Sequence, residues 1–127
     1  MDNNMMIRGI RGAVTADENT PEAVSQAVSE LLREIKKRND LKEEDISHVI
    51  FTMTADLDCM YPAKAARENF KEWQHVPMMC CQELKIKNSL EKCIRVLIAV
   101  NTDKKQQEIK HVYLKGASML RKDLADK

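Results

Sequence analysis

The sequence predicts an α+β fold, a mixed β-sheet packed with helices in two layers. Three observations predict it. A helix with one continuous apolar stripe runs between the first two strand-like segments. About five short apolar segments read as strands, and only two substantial helices are present to cover them. The chain has 127 residues, enough for one core but not for two, so residues 1–127 are read as a single domain.

Each element has its own signal. Residues 7–14 open the chain as a strand in which Gly9 and Gly12 permit close backbone approach. Alternation puts Arg8 and Arg11 on opposite faces, so the two have different roles. Residues 15–20 are polar and turn-like. The helix then starts with Thr20 as N-cap, Pro21 at the first helical position and Glu22 in the positive first turn. Ala23, Val24, Ala27, Val28, Leu31, Leu32 and Ile35 form its stripe. Lys36-Lys37-Arg38 complement the dipole at the far end, and Asn39-Asp40 stop the helix. Residues 46–54 read as the second strand. Residues 61–68 form a shorter helix with Pro62 near its start, and it projects Lys64 and Arg67 from one face. Taken alone, that spacing favours a solvated basic face. Residues 76–84 are the third extended piece, the run around Arg95 the fourth, and residues 111–120 complete the set.

Arg95 is the most telling residue. It interrupts Cys93-Ile94-Arg95-Val96-Leu97-Ile98-Ala99-Val100, the longest apolar run, whose β-branched content reads as a strand buried on both faces. A guanidinium cannot shed its proton, so burying it is costly unless an anion meets it. That anion is either a carboxylate of the protein or a negatively charged ligand. An edge Arg reaching water is the commoner case, but here no other charge occurs between Lys92 and Asp103. Strands apolar on both faces, with two helices to cover them, also predict an oligomer whose interface buries the remaining face.

Composition excludes several function classes. A net charge of +1, from 21 basic and 20 acidic side chains, leaves no electrostatic footprint for nucleic acid or an anionic membrane. No window approaches transmembrane length, and the N-terminus lacks a basic region followed by an apolar core. A cytoplasmic location is therefore expected. Met5-Met6 follow Met1-Asp2-Asn3-Asn4, and residues 1–5 read as an unstructured extension. The four cysteines, Cys59, Cys80, Cys81 and Cys93, suit a reducing compartment. There is no CxxC, and adjacent Cys80 and Cys81 point to opposite faces of a strand. His48, His75 and His111 are not spaced as helical ligand pairs, so no metal site is expected and the thiols read as core or site-lining residues.

No serine or cysteine stands at a recognisable spacing from a histidine, and no glycine-rich phosphate loop is present. What remains is a set of charged or polar residues in apolar segments: Arg11, Glu83, Arg95 and Tyr113. Two guanidiniums, a carboxylate and a phenol suit a small, polyanionic, hydroxylated ligand. An equally weighted alternative is that Glu83 and Arg95 simply pair with one another in the core.

Six blocks extend this reading. Met6-Ile7-Arg8-Gly9-Ile10-Arg11-Gly12-Ala13, Tyr61-Pro62-Ala63-Lys64-Ala65-Ala66-Arg67, Trp73-Gln74-His75-Val76-Pro77, Gln82-Glu83, Lys92-Cys93-Ile94-Arg95-Val96 and His111-Val112-Tyr113-Leu114 resemble, in order and nearly in spacing, the small monofunctional chorismate mutases of the Bacillus class. The resemblance runs from Met6 to about Asp123. It implies a homotrimeric pseudo-α/β-barrel with active sites in clefts between subunits. It also implies a cofactor-free pericyclic conversion of chorismate to prephenate, which accounts for the lack of a nucleophile or base motif.

Carried over residue by residue, the resemblance implies that Arg95 faces the breaking ether bond. Arg11 and Tyr113 would hold the enolpyruvyl carboxylate, and Glu83 and Cys80 (through its backbone N–H) the ring hydroxyl. Arg67 and Lys64 would attract the ring carboxylate, while Tyr61, Ala63 and Leu120 shape the apolar wall. Arg121 would lie in a mobile tail, residues 121–127, that closes over the ligand. The chain departs from the family pattern at Tyr61 (usually Phe), at Met79, a substrate-contacting position usually Thr, and at Lys122 (usually Pro). The loop at residues 69–72 is one residue longer. Two other readings stand beside the enzyme: a non-catalytic trimeric module that binds a small dicarboxylate between subunits, and a purely structural trimer.

Overall fold

The computed structural model describes residues 5–120. In chain order the elements are β1 (Met6–Thr15), α1 (Pro21–Asn39), β2 (Ile46–Met53), α2 (Pro62–Asn69), β3 (Met78–Gln82), β4 (Cys93–Thr102) and β5 (Val112–Leu114). Short 3-10 turns occupy Glu43–Asp45, Lys71–Trp73, Gln106–Glu108 and Lys115–Met119. Apart from Met5, the expected N-terminal extension lies outside the described residues. So does the tail that carries Arg121 and Lys122.

The signals read for α1 act as the physics requires. The Thr20 side chain accepts a hydrogen bond from Ala23 N at 3.2 Å, which satisfies one of the helix's orphan donors. Asp40 ends the helix in a left-handed conformation, φ 50°, and its N–H bonds to Lys36 O. The stripe packs on a single five-stranded sheet of order β3-β2-β4-β1-β5. Central β4 runs antiparallel to both β1 and β2, while β1 pairs parallel with β5 and β2 parallel with β3. The crossover through α1 therefore joins two parallel strands with β4 inserted between them.

The core lies between the sheet and the two helices. Ile10, Val14, Val49, Phe51, Ile94, Val96, Ile98 and Val100 meet Val24, Val28, Leu31 and Ile35 of α1, with Ala63, Ala65 and Ala66 of α2. Gly12 permits this approach: a Cβ there would stand 2.8 Å from Ile35 Cδ1 and 3.1 Å from Leu31 Cδ1. Buried Asn39 ties the end of α1 to the approach to β5. Its amide donates to Ile35 O (3.0 Å) and Lys110 O (2.9 Å) and accepts from Lys110 N (2.8 Å).

Two expectations change. In the single chain β4 is fully buried on one face only: Ile94, Val96, Ile98 and Val100 are covered, whereas on the other face Cys93 and Ala99 are buried but Arg95 and Leu97 are exposed. The cause is the layer count, since both helices lie on the same side of the sheet. The last segment is a strand only for Val112–Leu114, after which Lys115 takes φ 53° and the chain turns into a 3-10 turn. Gly116 N then donates to Thr15 Oγ1 at 3.0 Å, folding this turn against β1. No helix among the described residues is long and apolar enough to cross a membrane.

Candidate active site

The face of the sheet away from the helices carries two cross-strand rows of side chains. Register places Tyr113, Ala13, Arg95, Thr52 and Cys81 side by side across β5, β1, β4, β2 and β3. The next row is Arg11, Leu97, Ile50 and Met79. A cleft of about 370 Å³ opens on these rows, within the size range of small-ligand sites. Arg11, Glu83, Arg95, Tyr113 and Leu120 line it, joined by Ile50, Thr52 and Leu97. Larger hollows of about 730 Å³ beside the 83–91 loop and about 660 Å³ at the end of α1 are lined by lysines and carboxylates, with no arginine among them. The smaller cleft is the one that, among the described residues, gathers two guanidiniums, a carboxylate and a phenol.

Glu83 and Arg95 are paired, with Arg95 Nε 3.0 Å from Glu83 Oε2. The pair is not in the core: 44% of the Arg95 side chain and 21% of the Glu83 side chain are exposed. An ion pair this accessible contributes at most about 1 kcal/mol to stability, so its main consequence is orientation. Glu83 N donates to Met53 O at 2.9 Å, and Thr52 Oγ1 donates to Oε2 at 2.6 Å. The start of β4 is pinned as well. Cys93 N donates to Thr54 Oγ1 (3.0 Å), and Lys92 N donates to the Asp56 carboxylate (2.9 Å).

The other end of the cleft is built on β1 and β5. Arg11 N donates to His111 Nδ1 at 2.9 Å, which fastens the exposed Arg11 position to the segment that leads into Tyr113. The Tyr113 ring is buried in a small cluster with Ala13, Cys93 and Ala117, against which Leu90 and Leu120 pack. Burial raises the Cys93 thiol above its ordinary pKa, an effect that the neighbouring Arg95 guanidinium partly opposes. Cys93 is thus a neutral thiol at pH 7, a buried packing residue and not a nucleophile. Among the described residues, no three His, Cys, Asp or Glu side chains converge as a metal-binding group.

The family model for chorismate mutase type I matches residues 7–124. This chain belongs to that family. It is 46% identical over 121 residues to chorismate mutase AroH of Bacillus subtilis strain 168, covering 95% of this chain and 94% of the relative. It is 45% identical over 120 residues to chorismate mutase AroH of Thermus thermophilus, covering 94% of this chain and 97% of the relative. The solved structure of a chorismate mutase from Clostridium thermocellum superposes with a TM-score of 0.83 at 47% identity, over 87% of this chain and 97% of that chain.

The remaining residues singled out from the sequence lie apart from the cleft within this member of the type I family. Tyr61 precedes α2 and is largely exposed. Lys64 and Arg67 are exposed on α2, while Ala63 is buried in the helix–sheet core. On β3, half-buried Cys80 packs toward the helices, whereas Met79 and Cys81 are exposed on the open face. None of these lines the cleft of the same chain. Sequence reasoning missed Thr52, Ile50 and Leu97. Their one signal was alternation: Thr52 and Ile50 are out of phase with the core residues Val49 and Phe51. Without the strand order, nothing set them beside Arg95.

Proposed function

We propose that the chain isomerises chorismate to prephenate in a cleft completed by a neighbouring subunit of a homotrimer, with Arg95 as the main catalytic group. One observation carries the reading: a cation held by Glu83 stands in the same small cleft as Arg11 and Tyr113. In this rearrangement one C–O bond breaks and one C–C bond forms within a single molecule. No proton, hydride or leaving group departs, so no base, nucleophile or cofactor is called for.

As the C–O bond lengthens, negative charge grows on the ether oxygen. A guanidinium already fixed beside it stabilises the transition state more than the ground state. Arg11 and the Tyr113 hydroxyl hold the enolpyruvyl carboxylate, which folds the side chain over the ring and removes the entropy of finding that geometry. Glu83 accepts from the ring hydroxyl, with the Cys80 backbone N–H beside it. Lys64 and Arg67 attract the ring carboxylate. Tyr61, Ala63, Met79 and Leu120 form the wall.

The division of these residues supports the shared site. Arg11, Glu83, Arg95, Tyr113 and Leu120 line one cleft, whereas Tyr61, Lys64 and Arg67 lie on and before α2, in the other layer of the fold. A second chain supplies the α2 group. The open face also carries exposed Ile7, Met79 and Leu97, apolar surface suited to burial between subunits. The free thiols Cys59, Cys80, Cys81 and Cys93 support a reducing, cytoplasmic setting. Family membership favours the enzyme over a binding module or a structural trimer.

The test is chorismate consumption with prephenate detection, with and without a chelator, alongside sedimentation of the protein. Chelator-insensitive turnover by a trimer is the expected result. A trimer that binds chorismate without converting it would establish the binding module instead.

A further inference from the structure

Glu83 and Arg95 stand on strands that are not neighbours. Glu83 follows the end of β3, Arg95 lies on β4, and β2 runs between them. Adjacent strands are about 4.8 Å apart, so the pair spans roughly 10 Å of sheet. It meets by reaching over a single residue of β2, Thr52, the cross-strand partner of Arg95. That residue is not a spacer. Its hydroxyl donates to Glu83 Oε2 at 2.6 Å, the same oxygen that Arg95 Nε approaches at 3.0 Å. The next residue, Met53, accepts the Glu83 N–H at 2.9 Å. Two successive residues of β2 therefore clamp Glu83 by its main chain and by its carboxylate.

We infer that Thr52 is a positioning residue for the rearrangement: it fixes the Glu83 carboxylate through Oε2, which aims Arg95 and reserves Oε1 for the substrate's ring hydroxyl. The inference rests on the proposed placement of Glu83 and Arg95 in the active site. Thr52 suits the task for two reasons. A β-branched side chain is stiff at χ1, so the hydroxyl is held in place before substrate arrives. Its volume is also small enough to let the ion pair pass over it. Charge-assisted O–H···O contacts are short and strong, and this one comes from a central strand rather than from a loop.

Thr52→Val keeps the shape and removes the donor, whereas Thr52→Ser restores the donor. Both are measured with Glu83→Gln and with the Thr52→Val/Glu83→Gln double variant, together with thermal melts and sedimentation. Thr52→Val is expected to lose about tenfold in kcat/KM, mostly in kcat, with its assembly and melting temperature kept. Thr52→Ser should return to within about threefold of the starting protein, and in the Glu83→Gln background the valine should have no further effect. Full activity of Thr52→Val beside a crippled Glu83→Gln overturns the role of Thr52 and leaves the site intact. An equal tenfold loss with and without the Glu83 carboxylate also overturns it, because Thr52 then acts through the fold. Full activity of Glu83→Gln overturns the site placement itself, and the inference with it.

Discussion

Replacing Arg95 by methionine separates the proposed catalytic role from stability, because the expected magnitudes of the two are very different at this position. The side chain is 44% exposed and its ion-pair partner Glu83 is 21% exposed, so losing the pair removes at most about 1 kcal/mol. Glu83 is not orphaned by the change, since Thr52 Oγ1 still donates to it. For a chain of this size the melting temperature should fall by no more than roughly 5 °C. The chemical step responds on another scale. Loss of one well-placed donor to a developing oxyanion costs about 10²–10³ in kcat, or ~3–4 kcal/mol, and loss of a full charge costs more. The expected variant is folded and assembled, binds chorismate, and has lost at least about a thousandfold in turnover. Prephenate formation, calorimetric binding, melting and sedimentation measured on one preparation check it. Near-normal turnover would refute the electrostatic role of Arg95. Loss of activity in step with loss of the folded, assembled protein would show that the residue is structural.

Other outcomes follow from single contacts. Asn39→Ala deletes three bonds and leaves both polar groups of Lys110 unmet, so urea unfolding should show a loss of about 2–4 kcal/mol; less than 1 kcal/mol would mean that water replaces the amide. Cys93 should resist a thiol reagent at pH 8 while exposed Cys81 reacts, as peptide mass mapping would show. Because burial raises the Cys93 thiol above its ordinary 9.0, the unfolded chain releases this proton first on the alkaline side. Stability is therefore unaffected by Cys93 below about pH 9 and falls above it by up to ~1.4 kcal/mol per pH unit, a slope that Cys93→Ala removes. Lys64→Ala should raise KM with kcat preserved, because the role proposed for this exposed lysine on α2 is to attract the substrate and not to touch the reacting bond; a fall in kcat alone would contradict that role.

Local elements were legible because their signals are local. Thr20, Pro21 and Asp40 bracket α1 by capping chemistry that depends only on residues three or four apart. Arg95, Glu83, Arg11 and Tyr113 stood out because each breaks an apolar pattern, and one cleft gathers all four. The partial cover of β4 within the single chain has a different source. Apolar content does not report which layer supplies the cover, and both helices went to one side. β5 was over-extended because its end is set by the positive φ of Lys115, which nothing in lysine announces. Thr52 was invisible for a topological reason: it becomes the neighbour of Arg95 only once β4 is inserted between β1 and β2.

That insertion also governs how the chain comes to be folded. β4 is the last long strand to be made, yet both β1 and β2 depend on it for their ladders, and Met6 pairs with Thr102 across nearly the whole sequence. Until residue 102 is available, β1 has no antiparallel partner and α1 has no completed sheet to lie on. Loops this long carry a large closure entropy and slow the search for the native arrangement. A nascent chain halted before β4 would therefore display the α1 stripe as sticky, unsheltered surface. The strand that carries Arg95 is thus also the strand whose arrival commits the molecule to its fold.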